Sequence, residues 1–263
     1  MLKKLLKYDL TNLYKLLLVF YSLLLVGAFL TRIFFSIENS LLFNIIAQIC
    51  SGFTISMMIN VIINSLTRSW VRFSKNFYGD ESYLTHTLPV TKKTHYMSKF
   101  LSSIIAMFTT IFLIFISLFI AYYSKENIEF LKSFLLPTFN AFNISMIKII
   151  ILFLIVLFLE MIVLLQAGFT GTILGHQKNN NKTIYSIVFS FITYMIIQAI
   201  VLFILFISSL FNSEIMNLFI TSQINSIDIL FTIIYLSIFT YSLLSILIYF
   251  VNIKLFNKGV NVD

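Results

Sequence analysis

The chain is poor in charge, glycine, proline and cysteine, and each shortage excludes a class of protein. Only 11% of its 263 residues are charged, 59% are hydrophobic, and the mean hydropathy is +0.98. Soluble domains carry about 25% charged residues. Seven glycines and two prolines beside 30 phenylalanines exclude collagen-like and disordered chains, and a lone cysteine excludes a disulfide framework or a cysteine-based zinc site. We therefore expect an integral membrane protein.

Long runs almost free of charge fill most of the chain. A transmembrane helix needs about 20 consecutive apolar residues, and the strict alternation of β-barrel strands is absent. We predict an all-α integral membrane protein in which one domain, residues 1–263, crosses the bilayer six times. The predicted spans are residues 16–35, 41–66, 100–123, 149–174, 184–211 and 229–251.

The basic residues fall mainly on one side of these predicted spans. Of the 18 lysines and arginines, 14 lie in the two termini and in the loops after the second and fourth spans. The positive-inside rule makes this side cytoplasmic, so both termini are expected in the cytoplasm. The net charge of +8 then reflects topology and contact with anionic lipid, and nucleic-acid binding is not expected.

The first residues combine leucines at helical spacing with lysines. Residues 2–15 are therefore expected to form an amphipathic helix at the membrane interface. A basic anchor without a role of its own is the alternative. The first apolar run lacks a small-residue cleavage site, so we expect an uncleaved span and not a signal peptide.

Chemistry-bearing motifs are scarce. No phosphate-binding G-x-x-x-x-G-K-[ST] sequence occurs, and the three histidines show no metal-ligand spacing. The chain is therefore not expected to be an enzyme or to bind a metal or cofactor itself.

The loop of residues 67–98 contains the largest number of helix-capping and helix-breaking residues that can be interpreted from sequence. Gly79 is expected to end the preceding helix, and Asp80 is a good N-cap for a new one. Pro89 stops that segment, and Thr91 can cap the next helix. We predict a short helix with Tyr83 and Leu84 on an apolar face. An ordinary solvated loop is the alternative.

Residues 77–90 read Phe-Tyr-Gly-Asp-Glu-Ser-Tyr-Leu-Thr-His-Thr-Leu-Pro-Val. This run resembles the loop of bacterial permease subunits of type-2 ABC exporters, whose usual form is close to Gly-Glu-x-x-Tyr-Leu-x-x-Thr-Leu-Pro-Val. The six spans and the N-terminal interfacial helix fit the same family. The resemblance therefore covers nearly the whole chain.

The resemblance implies a coupling helix that docks on a separate ABC ATPase subunit, which would bind ATP and Mg²⁺. Asp80 and Glu81 would pair with basic residues of the ATPase, while Tyr83 and Leu84 would supply the buried anchor, in a segment that ends at Leu88 and Pro89.

The family also implies a bacterial cell-membrane protein that pairs with a second permease, either a copy or a homologue. Alternating access, with spans 2 and 5 lining the path, would be its mechanism. The apolar wall favours a hydrophobic or amphipathic cargo such as a drug, an antimicrobial or toxic peptide, or a lipid. A non-transporting scaffold or sensor and an ion-driven secondary transporter remain alternatives.

Two features of the fourth span stand out. Glu160 lies near its middle. It either lines the translocation path or contacts a cationic cargo, or it bonds structurally to Gln166, Gln198 or a partner helix. Three glycines end the span and form a face for close helix packing, in the bundle or at a dimer seam or hinge. They are Gly168, Gly171 and Gly175.

Overall fold

The computed structural model describes residues 1–37, 41–129, 133, 146–221 and 227–258. Within these ranges the regular structure is helical and no strand occurs. The helices with defined bounds are α1 (Leu2–Phe35), α2 (Leu41–Tyr78), α3 (Ser82–Thr87), α4 (Lys92–Tyr122), α5 (Met146–Gly175), α6 (Lys182–Phe211), α7 (Ser213–Thr221) and α8 (Ile227–Asn257).

Six of these helices, α1, α2, α4, α5, α6 and α8, are long and apolar enough to cross a membrane. The predicted all-α membrane fold is confirmed to the extent that six helices have the length and composition of membrane spans. The helices extend beyond the predicted spans, because the bilayer limits the apolar run and not the helix that carries it. For example, α2 continues to Tyr78, whereas its apolar run ends at about residue 66.

The N-terminus forms one continuous helix. We expected an interfacial helix over residues 2–15 followed by a span from residue 16, but α1 runs unbroken from Leu2 to Phe35. The first glycine of the chain is Gly27 and no proline precedes it, so nothing in the sequence breaks the helix at the interface. Asp9, Leu13 and Leu17 share one buried face of α1 at four-residue spacing.

The contacts divide the chain into two compact units. Unit 1 comprises residues 1–72 and 89–137. In it α1 packs along α4. Its core consists of Leu13, Leu17, Tyr21, Leu24, Met57, Met58, Val61 and Ala106.

Polar bonds cross the α1–α4 pair at several levels. The hydroxyls of Tyr14 and Thr109 lie 2.9 Å apart, and those of Tyr21 and Thr110 lie 2.8 Å apart. Near the start of both helices, the Asp9 carboxylate accepts a hydrogen bond of 2.7 Å from the Ser98 hydroxyl and forms an ion pair with the Lys99 ammonium. Both members of that ion pair are buried.

Unit 2 comprises residues 73–88 and 138–263. In it α5 is the central helix, because it packs against both α6 and α8. The core residues are Val163, Ala167, Ile197, Tyr241 and Leu244. This unit also contains the last residues of α2 together with α3, so the loop with the concentrated sequence signal belongs to the same unit as α5 and α8.

Candidate functional site

The chain turns sharply between α2 and α3. The Gly79 N–H donates to the carbonyl of Ser74 at 3.2 Å, and the Gly79 carbonyl accepts from the Ser82 N–H at 2.9 Å. A Cβ on Gly79 would lie 3.2 Å from both the Cα and the carbonyl oxygen of Lys75. The close approach explains why glycine ends α2 here.

A base of buried aromatic rings lies under this turn. Phe73 stacks on Phe169 of α5 with ring centroids 4.3 Å apart, and Phe77 meets Phe256 of α8 edge-on at 4.6 Å. All four side chains are fully buried. The end of α2 is thereby packed against α5 and α8, so the loop leaves from a well-packed platform.

The next residue, Tyr78, joins this base through a different partner. Its ring stacks on that of His176, with centroids 4.2 Å apart. The Nδ1 atom of His176 lies 2.8 Å from the Thr172 carbonyl, and because a carbonyl only accepts, Nδ1 carries the proton. Burial lowers the pKa of His176, with nearby Lys182 acting in the same direction and the Thr172 bond opposing them. The neutral imidazole is therefore the packed form.

The inner side of α3 is attached to this platform. The Asn76 amide donates to the Glu81 carboxylate at 2.6 Å, and the Thr85 hydroxyl donates to the Glu81 carbonyl at 2.9 Å. Ser82 and Thr85 are buried. The His86 Nε2 atom lies 3.3 Å from the Phe77 carbonyl, close enough for a hydrogen bond. The six-residue helix is thus held in one orientation by polar contacts.

The outer side of α3 is apolar and exposed. Tyr83 is 71% exposed, Leu84 is 74% exposed and Leu88 is 45% exposed. Two large apolar side chains on consecutive residues of a fixed helix form a small projecting surface. We call Tyr83, Leu84 and Leu88 the α3 face.

The two acids of the loop differ in their surroundings. Asp80 is exposed, whereas Glu81 is half-buried and accepts the bond from Asn76. The N-cap of α3 is Glu81, without a side-chain capping bond, so our assignment of the cap to Asp80 is one residue too early. Bonding of the Glu81 carboxylate to Asn76 leaves Asp80 as the more accessible charge.

The end of the loop follows its proline and threonine. Leu88 caps α3 in an extended conformation, with φ −66° and ψ 134°, as expected for a residue before proline. Thr91 caps α4, and its hydroxyl oxygen accepts from the Thr94 N–H at 3.3 Å. The end of α3 and the start of α4 are therefore both determined locally, by residues 88–91.

The glycines at the end of α5 face two serines of α6. A Cβ on Gly171 would lie 2.6 Å from the Ser186 carbonyl oxygen and closer still to the Ser190 nitrogen. A Cβ on Gly175 would lie 2.6 Å from the Ser186 Cα. The Ser190 hydroxyl donates to the Gly168 carbonyl at 3.4 Å. In this chain the small residues bring α5 and α6 into backbone contact.

Glu160 contacts a residue that the sequence analysis did not consider. Its carboxylate accepts a hydrogen bond of 3.2 Å from the Tyr194 hydroxyl of α6. Gln198, one of the partners we had considered, instead accepts from the Tyr241 hydroxyl at 3.2 Å. The other, Gln166, is fully buried beside α8, where the Asn252 amide donates to the Gln166 backbone carbonyl at 3.2 Å.

A polar stripe on α2 also escaped the sequence analysis. Polar or small residues recur at every fourth position of this span, follow one ridge of the helix, and are exposed except for the half-exposed last member. The Asn60 amide donates to the Ser56 carbonyl at 3.1 Å and the Asn64 amide to the Asn60 carbonyl at 2.9 Å, both within the same helix. We call these residues, Asn44, Gln48, Gly52, Ser56, Asn60 and Asn64, the α2 stripe. The four-residue period can be recognised in the sequence. The sequence does not show which side of the helix is exposed.

Among the described residues, no group of three or more His, Cys, Asp or Glu side chains could hold a metal ion. Comparison of the chain with protein-family models, with curated proteins and with solved structures finds no match in any of the three. What the chain does must therefore be inferred from its own residues.

Proposed function

We propose that this chain is the membrane-spanning permease subunit of an ABC transporter that exports a hydrophobic or amphipathic cargo. A separate ATPase subunit would bind ATP and Mg²⁺ and drive alternating access. The chain would lie in a bacterial cell membrane with both termini in the cytoplasm, and it would pair with a second permease. The α3 face is the observation that carries this proposal.

A device that transmits force needs a rigid attachment on one side and a free contact surface on the other. The α3 helix has both: buried Ser82 and Thr85 on its inner side, and exposed Tyr83 and Leu84 on its outer side. A few residues at the centre of an interface, with tyrosine prominent among them, commonly supply most of its binding energy. An ordinary solvated loop has no reason to keep Tyr83 and Leu84 projecting while Ser82 and Thr85 are buried.

The aromatic base gives the contact a mechanical connection to the membrane helices. Phe73 and Phe77 link the end of α2 to Phe169 of α5 and Phe256 of α8. Close-packed interiors transmit displacement because they contain few voids. Movement of a docked ATPase would therefore reach α5 and α8 through these rings.

The α2 stripe supports a transporting role over a scaffold or sensor. From Asn44 to Asn64 the stripe covers 21 residues, or about 30 Å of helix, which is the thickness of the hydrocarbon core. Exposed amides are costly against lipid tails and stable against water or another polar surface. We infer that the stripe faces a second permease across a hydrated path.

Removal of the α3 face tests this proposal. A tagged chain purified in mild detergent from native membranes should retain an ATPase subunit, and Tyr83→Ser with Leu84→Asp should reduce the co-purified ATPase activity by at least about tenfold, the effect of losing about 1.4 kcal/mol of binding energy. Asp80→Asn should have a smaller effect, because peripheral charges contribute mainly to association rate.

The matched control is Ile184→Ser at the start of α6, a residue that is 59% exposed and lies outside the α3 face. It should leave the ATPase bound. A wild-type chain that purifies without ATPase activity, or a double variant that retains the partner fully, would overturn the proposal and favour a scaffold.

A further inference from the structure

Glu160 is an acid at the centre of an apolar helix, remote from the basic residues of its own helix bundle. Within α5, α6 and α8 the basic residues are Lys148, Lys182 and Lys254, all in the first or last turns. Lys148 precedes Glu160 by 12 residues, or about 18 Å along the axis. Its ammonium lies 4.9 Å from the centre of the Phe231 ring. These helices therefore supply no counter-charge at the depth of the carboxylate.

Two tyrosines from neighbouring helices surround this position. Tyr194 of α6 donates its hydroxyl to Glu160, and Tyr241 of α8 donates its hydroxyl to Gln198, one turn beyond Tyr194 on the same face of α6. Tyr194 and Tyr241 belong to one apolar cluster with Val163 of α5. Three helices thus bring a carboxylate, two phenol rings and an amide together in surroundings that are otherwise apolar.

The hydrogen bonds do not satisfy this cluster. One neutral phenol donates to the carboxylate, whereas a charged group at the bilayer centre costs about 2.5–3.5 kcal/mol on insertion scales. The Gln198 Nε2 atom is buried and has no hydrogen-bond partner within the described part of the chain. A bound organic cation would supply the counter-charge that the carboxylate lacks.

The donor set favours an organic cation over a metal ion. Hard metal ions require about six oxygen ligands at short distances, whereas this cluster offers one carboxylate, one amide oxygen and two neutral phenol oxygens. Aromatic rings attract alkylammonium and similar ions through their faces, most strongly where water is excluded. Glu160 is partly exposed whereas Tyr241 is buried, so the carboxylate side of the cluster reaches the surface of the chain.

We propose that Glu160, Tyr194, Gln198 and Tyr241 form a binding site for a lipophilic organic cation. Glu160 supplies the charge, and the two tyrosines supply aromatic surface and orient the polar groups. The site would make lipophilic organic cations a cargo class of the proposed transporter. Binding of the cation needs no ATPase, so the inference rests on the proposed function only for the onward movement of the cation.

Equilibrium binding of radiolabelled tetraphenylphosphonium to the purified chain in lipid nanodiscs tests the site. We expect saturable binding that Glu160→Gln weakens by about tenfold or more, since it removes the only acid at this depth of the cluster. Tyr194→Phe retains the ring and should weaken binding by only about two- to fivefold. Triphenylphosphine oxide, which is neutral, should compete poorly.

The control is Asp228→Asn, which removes an acid from the first turn of α8 and should leave binding unchanged. Each variant is compared after its melting temperature and gel-filtration profile match the wild type, and Tyr194→Phe together with the neutral competitor decides the outcome if Glu160→Gln does not fold. Absence of saturable binding, equal binding by Glu160→Gln, or equal competition by the neutral compound would overturn the site. A retained ATPase partner in the same preparation would leave the proposed function intact.

Discussion

The helix pair α1–α4 of unit 1 and the pair α5–α6 of unit 2 differ in their closest contacts. Polar side chains cross the first pair, from the buried ion pair of Asp9 and Lys99 to the hydroxyl contact of Tyr21 and Thr110 at 2.8 Å. The second pair has glycines against serine backbone, at Gly171 and Gly175. Polar bonds and small residues are the two ways in which helices associate when lipid removes the hydrophobic drive.

The comparison indicates which kind of change each pair tolerates. A polar contact is lost by removing one atom group and is insensitive to a modest increase in volume. A backbone contact is insensitive to side-chain chemistry and is lost by adding a single methyl group. Substitutions that remove a polar contact and substitutions that crowd a backbone contact should therefore change the stability in different ways.

The largest effect is expected from Asp9→Leu in unit 1. The change leaves the Lys99 ammonium buried without its carboxylate, and removing one partner of a buried ion pair typically costs about 3–5 kcal/mol. The free energy of unfolding, measured by SDS titration in mixed micelles, should fall by that amount.

The double variant Asp9→Leu with Lys99→Leu is the control for this prediction. Because both charges are removed, it should recover most of the loss. If the double variant is as unstable as the single one, packing and not the ion pair holds this end of α1 to α4.

A smaller but still severe loss is expected from Gly171→Ala in unit 2. The added methyl group would meet Ser186 and Ser190, including backbone atoms that cannot move aside cheaply. Overpacking of this kind costs about 1–3 kcal/mol. The same SDS titration measures the loss, and Gly175→Ala should behave similarly.

Gly52→Ala on the exposed surface of α2 is the matched control, because nothing lies within 4 Å of its added Cβ. It should be neutral or slightly stabilising, since alanine favours helix more than glycine does. Equal losses at Gly52 and Gly171 would mean that helix propensity, and not close approach, accounts for the effect.

The smallest expected effect is a pH dependence confined to unit 2. Burial lowers the pKa of His176 below its usual value, which is about 6.5 in an unfolded chain. The stability from the neutral ring is complete above that pH and is lost as pH falls through the folded-state pKa. The melting temperature should therefore decrease on acidification from pH 8 to pH 5.

His176→Phe isolates this contribution, because it retains a ring to stack on Tyr78 and removes the titration. Between pH 8 and pH 5, the melting temperature of the variant should decrease less than that of the wild type. An identical pH profile for both proteins would assign the acid sensitivity to other groups.

Residues that act locally could be interpreted from sequence. Gly79, Pro89 and Thr91 determine the chain direction through their own backbone or hydroxyl groups, and the segments that they bound lie close to the predicted positions. The number of long apolar helices followed equally from composition and run length.

Long-range pairings could not be predicted in the same way. Asp9 meets Lys99 from 90 residues away, and Glu160 bonds Tyr194 although two glutamines were the more obvious polar partners. Sequence showed that Gly171 and Gly175 favour a close approach, but not that Ser186 and Ser190 lie opposite. Such contacts depend on which helices pack together and on their rotation, and neither follows from a single chain's periodicity.

Photo-crosslinking from position 84 tests the central claim most directly. A p-benzoylphenylalanine in place of Leu84, irradiated in native membranes, should attach the chain to a protein that carries a phosphate-binding loop and hydrolyses ATP. The same group at Ile184 should not. Crosslinking only to lipid, or to a protein without ATPase activity, would contradict the assignment of α3 as the contact with an ATPase.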